Sequence, residues 1–199
     1  GRREEGLAAA KRALASKRGR VAKITAIKVL AAAGGLEAEG ILDEIASREV
    51  DVGLRALAVD ARDAFELRRG GGEAVKRRRV AALHKVAEAT QALVAAPTKD
   101  VREAAVHELV RLGHLSAIPV LRQAFLGDAS QDVRREAALA LALLGDTEMV
   151  ETFVRMLVAR AENERDAKIA ADALGMLGDV RGMHELITAY SEGYKPGVV

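Results

Sequence analysis

The stretch DVRREAALALALLGD, residues 132–146, decides the fold. Ala137, Ala138 and Leu141 fall on one stripe of a 3.6-residue helix, and the run closes on Leu144-Gly145. Two further stretches read almost the same way: DVREAAVHELVRLGH at 100–114 and ERDAKIAADALGMLGD at 164–179. Each is followed by a second apolar run of similar length. A repeat of roughly 30 residues built from helix pairs is the signature of a solenoid, because one pair cannot bury its apolar face alone and must stack on its neighbours.

Working outward, the Leu-Gly signal sets a register for the rest of the chain. Ala33-Gly34, Leu112-Gly113, Leu144-Gly145 and Leu177-Gly178 align. Seven to eight residues earlier stand Ala26-Ile27, Ala105-Val106, Ala137-Ala138 and Ala170-Ala171, with Leu30, Leu109, Leu141 and Leu174 between. These positions are expected to be the buried face of the first helix of each pair. Small alanines there let the second helix approach closely, and the glycine ends the helix with positive φ at little steric cost. The second helices align as LEAEGILDEIA (36–46), LSAIPVLRQAF (115–125), TEMVETFVRML (147–157) and VRGMHELITAY (180–190).

Composition agrees with an all-α array. Half of the 199 residues are apolar, but there are only three Phe, two Tyr and no Trp, so the core must be Ala, Leu, Val and Ile. No β-like alternation persists. The absence of cysteine excludes disulfides, thiolate metal sites and cysteine nucleophiles. No run of about 18 apolar residues exists, so no membrane span is expected. These features leave the compartment open, with a cytoplasmic setting favoured. The net charge of +2 hides an asymmetry: residues 1–99 carry 20 Lys/Arg against 13 Asp/Glu, and residues 100–199 carry 11 against 16. Opposite halves of this kind can steer a partner or drive self-association, or reflect nothing more than solvated helix faces.

The register divides the chain into a single array over 1–192 and a tail over 193–199. Its parts are an orphan helix at about 4–16 and five units at about 19–48, 51–95, 100–127, 132–161 and 165–192. The orphan reads as the second helix of a pair. With Gly1 rather than Met at the start, a longer solenoid is expected upstream.

The pattern D-V-R-x-x-A-A-x-x-L-x-x-L-G-D, nearly whole at 132–146, resembles the HEAT-repeat family, in particular its short bacterial form, the phycobilisome-lyase-type repeats. That resemblance implies a right-handed α-α superhelix of about five helix pairs, the armadillo-like architecture, with the second helices lining the concave face. It also implies a non-catalytic scaffold that binds another protein or peptide. Transferred residue by residue, the concave surface would present Glu39, Asp43, Glu44, Arg122, Gln123, Glu151, Arg155, His184, Glu185 and Thr188.

One unit departs from the pattern. The first helix of unit two ends in Gly70-Gly71-Gly72 instead of Leu-Gly, and its second helix is expected over 73–95, nearly twice the usual length. First-helix starts are 49 residues apart there (Asp51 to Asp100) against 32 in the next unit (Asp100 to Asp132). Insertions in repeat arrays tend to map to functional faces. The helix carries KRRR at 76–79, so Arg77 and Arg78 join the expected contact surface. Val75, Val80, Leu83, Val86, Leu93 and Val94 are expected to form its apolar face, with Arg77, Arg78, His84 and Lys85 towards solvent. Arg79 falls inside the apolar stripe, where an unpaired guanidinium is costly, so it is expected to pair with Asp60 or Asp63.

Other chemistries find little support. His107-Glu108 and His184-Glu185 are reminiscent of the metal-binding His-Glu pairs of deoxyhypusine hydroxylase, a HEAT-repeat iron enzyme. Here, however, one pair falls on a first helix and the other on a second helix, so no metal site is expected. The serines lack a Gly-x-Ser-x-Gly context, and Gly70 to Gly72 lack the Lys-Ser/Thr of a phosphate loop, so neither an enzyme nor a cofactor is expected. Nucleic acid is the alternative partner. Lys11, Arg12, Lys17, Arg18, Arg20, Lys23, Lys28, Arg77 and Arg78 could meet phosphate. The scarcity of aromatics to stack on bases and the acidic second half weigh against it.

Overall fold

A computed structural model describes residues 2–15, 19–70, 72–159 and 163–191. Lys17, Arg18, Gly71 and the expected tail at 193–199 lie outside the described residues. Among the described residues, eleven α-helices run in chain order: α1 (Arg2–Ala15), α2 (Arg20–Ala33), α3 (Leu36–Arg48), α4 (Val52–Arg68), α5 (Glu73–Ala95), α6 (Lys99–Leu112), α7 (Ile118–Gly127), α8 (Gln131–Leu144), α9 (Val150–Val158), α10 (Glu164–Leu177) and α11 (Val180–Ser191). One-turn 3-10 segments, Leu115–Ala117 and Thr147–Met149, lead into α7 and α9. No strand occurs among the described residues. The chain is an all-α, HEAT-like solenoid of neighbouring helix pairs.

Helix packing follows the register read from the alanines. Ala26, Ile27 and Leu30 of α2, Ala105, Val106 and Leu109 of α6, Ala137, Ala138 and Leu141 of α8, and Ala170, Ala171 and Leu174 of α10 are all buried. The tightest associations are between each second helix and the following first helix: α1 on α2, α3 on α4, α5 on α6, α7 on α8 and α9 on α10. First helices also stack in a row, α6 on α8 on α10. Phe125 of α7 and Phe153 of α9 add a tilted ring contact, centroids 5.3 Å apart, inside an otherwise aliphatic core.

An arginine at the fourth helical position locks three of the first helices to the turn before them. Arg55 donates to the Glu49 carbonyl (3.0 Å), Arg102 to that of Ala96 (3.1 Å) and Arg134 to that of Asp128 (2.9 Å). Each reaches six residues back, to a carbonyl at the end of the preceding second helix. A terminal carbonyl otherwise lacking a helical partner is thereby satisfied by a cation.

The apolar interior divides into two clusters. One runs from Ala10 to Phe65 and the other from Val86 to Ala189. The division falls where the row of first helices breaks: α4 packs on α2 and against the end of α8. Helix α5, about 34 Å long at 1.5 Å per residue, packs Val86, Ala89 and Leu93 into the larger cluster and also lies against α4. Its bounds agree with the sequence expectation, but its apolar face is corrected. Val75, Val86, Ala89 and Leu93 are buried, whereas Val80, Leu83 and Val94 are exposed. At 100° per residue, Val80 lies about 140° around the helix from Val75 and cannot share its face. The inward stripe is Val75, Arg79, Ala82, Val86, Ala89 and Leu93, at spacings of three and four.

The two clusters meet at the ends of three helices. Gly53, near the start of α4, is buried, and a Cβ there would collide with the Leu143 carbonyl oxygen and the Leu144 carbonyl carbon at the end of α8. Arg20, the first residue of α2, donates to the carbonyls of Ala142 and Leu143 and is clamped by Asp51, the N-cap of α4. A residue of α2 thus reaches 122 positions along the chain.

Candidate protein-interaction surface

The surface read from the sequence is built by side chains of α3, α5, α7, α9 and α11, and most of their charges are already engaged. Glu39 pairs with Arg69 at 2.7 Å, and Asp43 lies 3.5 Å from Arg62, which also reaches the buried Asp63 at 3.1 Å. Glu44 pairs with Arg48 one turn on, at 3.3 Å. Glu151 of α9 lies 3.5 Å from Arg181 of α11, and Arg155 donates to the Thr152 hydroxyl at 3.3 Å. His184 is exposed, and its carbonyl accepts from the Thr188 hydroxyl. Glu185 is half-buried.

Arg122 has a structural task. Its guanidinium makes a two-pronged contact to the buried Asp146, at 2.6 and 2.5 Å, and a third to Glu148 at 2.8 Å. Asp146 in turn accepts from the Glu148 amide and starts the second helix of its unit. The hydrogen bond to Asp146, opposed by desolvation and reinforced by Glu148, raises the Arg122 pKa further. This residue ties unit three to unit four. Its neighbour Gln123 faces outward into a cleft of about 360 Å³ between α5 and α7, bordered also by Leu93, Val94, Val120 and Ala124.

Helix α5 supplies what the rest of the ladder lacks. Arg79 lies 3.3 Å from Asp60, one of the two acids expected to hold it, and both are only partly exposed. Arg78 lies 3.4 Å from Glu66. Arg77 is exposed with no ion pair or hydrogen bond among the described residues. Near it the outward face carries Val80 and Leu83, 67% and 42% exposed, and Val94, 61% exposed, lies about 25 Å further along the helix. Val80, Leu83, Ala87 and Val94 form an apolar edge at helical spacing, with Arg77, His84 and Lys85 towards solvent. Of the ten expected contact residues, Glu39 and Asp43 are tied to α4 and Arg122 to Asp146, while Arg77 is exposed and has no ion pair or hydrogen bond among the described residues.

The two His-Glu dipeptides stay apart. His107 on α6 has its Nε2 3.1 Å from Glu136 of α8, and His184 lies on α11. No group of three metal-ligating side chains gathers among the described residues. No helix among them is long and apolar enough to cross a membrane.

A family model for HEAT repeats matches residues 86–178 and 122–193, together more than half of the chain. The chain belongs to the HEAT-repeat family. The HEAT match coincides with the larger apolar cluster, Val86 to Ala189, and begins halfway along α5. Neither a curated protein nor a solved structure matches the chain. Within this HEAT array, Arg20, Gly53 and the three turn-locking arginines were missed by sequence reasoning. Gly53 carries a legible signal, since two residues before Arg55 it stands where α6 and α8 have Asp100 and Asp132.

Proposed function

We propose that this HEAT array is a non-catalytic scaffold that binds a protein partner, with the outward face of α5 and the adjoining α5–α7 cleft as its principal contact. The observation that carries the reading is α5 itself. A soluble helix gains most of its stability from its buried stripe, yet this one also holds Val80 and Leu83 in water within two turns of the exposed Arg77, and Val94 at its far end on the α5–α7 cleft. Apolar side chains ringed by charge are how a protein surface binds another protein: the apolar part gives affinity and the rim gives register. Arg155 and Gln123, both exposed, extend the surface along the second helices.

Nucleic acid is the weaker reading. Of the basic residues that could meet phosphate, Lys11 is paired with Glu37 and Arg20 with Asp51. A phosphate-binding site relies on charge and fails as salt rises, whereas an apolar contact survives. The test is capture from source lysate by the wild-type chain and by Val80→Asp/Arg77→Glu, at low salt and at about 0.5 M, where exposed charges are largely screened. A protein retained at high salt by the wild type and lost from the variant supports the reading. Equal capture by both chains overturns the α5 assignment, and nuclease-sensitive capture at low salt alone overturns the protein class.

A further inference from the structure

Helices α5, α7 and α9 carry two rows of exposed side chains at the spacing of the repeat. Gln91, Gln123 and Arg155 stand 32 positions apart, and so do Val94, Leu126 and Val158. The buried side fixes this register: Ala89, Leu121 and Phe153 form one inward set, and Leu93, Phe125 and Leu157 another. The Phe125–Phe153 ring contact and the cleft bordered by Val94 and Gln123 make the three helices neighbours. Val94, Leu126 and Val158 are 61%, 65% and 55% exposed. Each lies three residues after its polar companion, so the two share one side of their helix.

Stacking of the array does not explain the rows. Each of the three helices is already packed on the first helix that follows it, α5 on α6, α7 on α8 and α9 on α10, so no missing neighbour leaves these residues open. At the same register α3 carries Glu44 and Ser47, the one paired with Arg48 and the other bonded to carbonyls of its own helix. What Gln91, Gln123 and Arg155 share is N–H donors. Gln91 and Gln123 are exposed and have no hydrogen bond among the described residues, and Arg155 holds only the Thr152 hydroxyl. Donors beside apolar side chains suit a ligand that offers carbonyls and side chains at the same pitch. Packed helices stand roughly 8–10 Å apart. A polyproline-II segment advances about 9.3 Å in three residues, returns every third side chain to one face and leaves its carbonyls free. An α-helix laid across the rows would match the pitch with every seventh residue, about 10.5 Å, but its carbonyls are bonded internally and would leave the donors unused.

We propose that the two rows seat an extended segment of a partner protein, laid across α5, α7 and α9 in a polyproline-II conformation with an apolar side chain at every third residue. Val94, Leu126 and Val158 meet the apolar side chains, and Gln91, Gln123 and Arg155 donate to the carbonyls between them. The seat presupposes the protein partner proposed above and adds the form of the segment that it holds.

The test uses the full chain and, as probe, a fluorescent peptide of four Leu-Pro-Pro triplets. Its controls are the same residues with the leucines moved in pairs to the two ends, and a stapled helix with leucine at every seventh position. Saturable binding of the triplet peptide is expected, about tenfold weaker to Leu126→Asp and to Val158→Asp, as loss of an apolar anchor implies. Gln123→Ala should weaken it roughly threefold, the worth of one hydrogen bond. Ser47→Asp, at the same register of α3, should leave it unchanged. All four variants alter exposed positions, and unchanged thermal melting confirms that they fold. No saturation, equal binding of the rearranged peptide, tighter binding of the stapled helix, or indifference to both Leu126→Asp and Val158→Asp overturns the proposal. If the triplet peptide fails while lysate capture still depends on Val80 and Arg77, the extended segment falls and the scaffold reading stands. If lysate capture fails as well, both fall.

Discussion

Arg20 and Asp51, thirty-one positions apart, form a two-pronged ion pair, Nε to Oδ2 at 2.5 Å and Nη2 to Oδ1 at 2.9 Å, at the meeting of the two apolar clusters. The same guanidinium donates to the Ala142 and Leu143 carbonyls at the end of α8, so one side chain joins three helices. Its charge suits the negative end of the α8 dipole, and Asp51 offsets the cost of partly burying it. Arg20→Ala is expected to lower unfolding free energy by about 2 kcal/mol, because two terminal carbonyls and one carboxylate lose their partner together. Urea denaturation of the full chain measures this, and a loss no larger than that of an exposed arginine would remove the clasp.

Gly53 gives a sharper reading of the same contact. In an open helix, Gly→Ala stabilises by about 1 kcal/mol. Here a methyl group meets the Leu143 and Leu144 backbone, which cannot move aside as a flexible side chain could. Gly53→Ala is therefore expected to destabilise, reversing the usual sign, while Gly40→Ala, with open space around its Cβ on α3, should stabilise. Thermal melts of the two variants side by side decide the matter.

The ion pair between Arg79 and Asp60 is expected to contribute little, under about 1 kcal/mol, because both side chains keep substantial solvent access. A double-mutant cycle with Arg79→Met and Asp60→Ala gives the coupling. A value well above that would mean the pair is drier than its exposure indicates.

Local periodicity made much of the fold legible before any coordinates. The pairs Ala105-Val106, Ala137-Ala138 and Ala170-Ala171 declared their burial because a helix repeats its faces every three to four residues, whatever it packs on. The ends of α5 were equally clear, marked by glycines on one side and Pro97 on the other. Its inward face was not, since Val80, Leu83 and Val94 look as apolar as the residues that are buried. Hydropathy cannot tell an inward valine from one at an exposed edge. Contacts between distant turns were hidden as well. Arg20 and Leu143 stand 123 positions apart with nothing local to link them, and Arg122 looked like a free concave-face cation because nothing local names Asp146 as its partner.

Arg122 consequently tests stability more than binding. Arg122→Glu would set a carboxylate against the buried Asp146 and is expected to cost about 3 kcal/mol, with an early thermal transition. Arg155→Glu, which disturbs only the contact to Thr152, should leave the melt within about 0.5 kcal/mol of wild type. Loss of partner binding in Arg155→Glu at unchanged stability would then implicate the second-helix face, which the Arg122 variant cannot do alone.

Acid should weaken the array through its caps. The hydrogen bond from Arg102, against an opposing desolvation and with help from the Ser130 amide, holds the Asp128 carboxyl below the ordinary carboxylate range. Burial pushes the Asp51 carboxyl up, but hydrogen bonds from Arg20 and the Leu54 amide outweigh it and leave it lowered as well. A carboxyl whose pKa is depressed in the folded state stabilises fully above its unfolded value, about 3.9 for Asp. As pH falls below that value the unfolded chain takes up protons that the folded chain refuses, and the contribution disappears through the folded pKa. Unfolding free energy is thus expected to be flat from neutral pH to about 5 as far as these groups are concerned, then to fall towards pH 3. Asp128→Asn should be about 2 kcal/mol less stable than wild type at neutral pH, and its decline in acid should be shallower. Parallel acid limbs for the two proteins, in urea titrations at matched ionic strength, would show that the Arg102–Asp128 link does not carry the acid sensitivity.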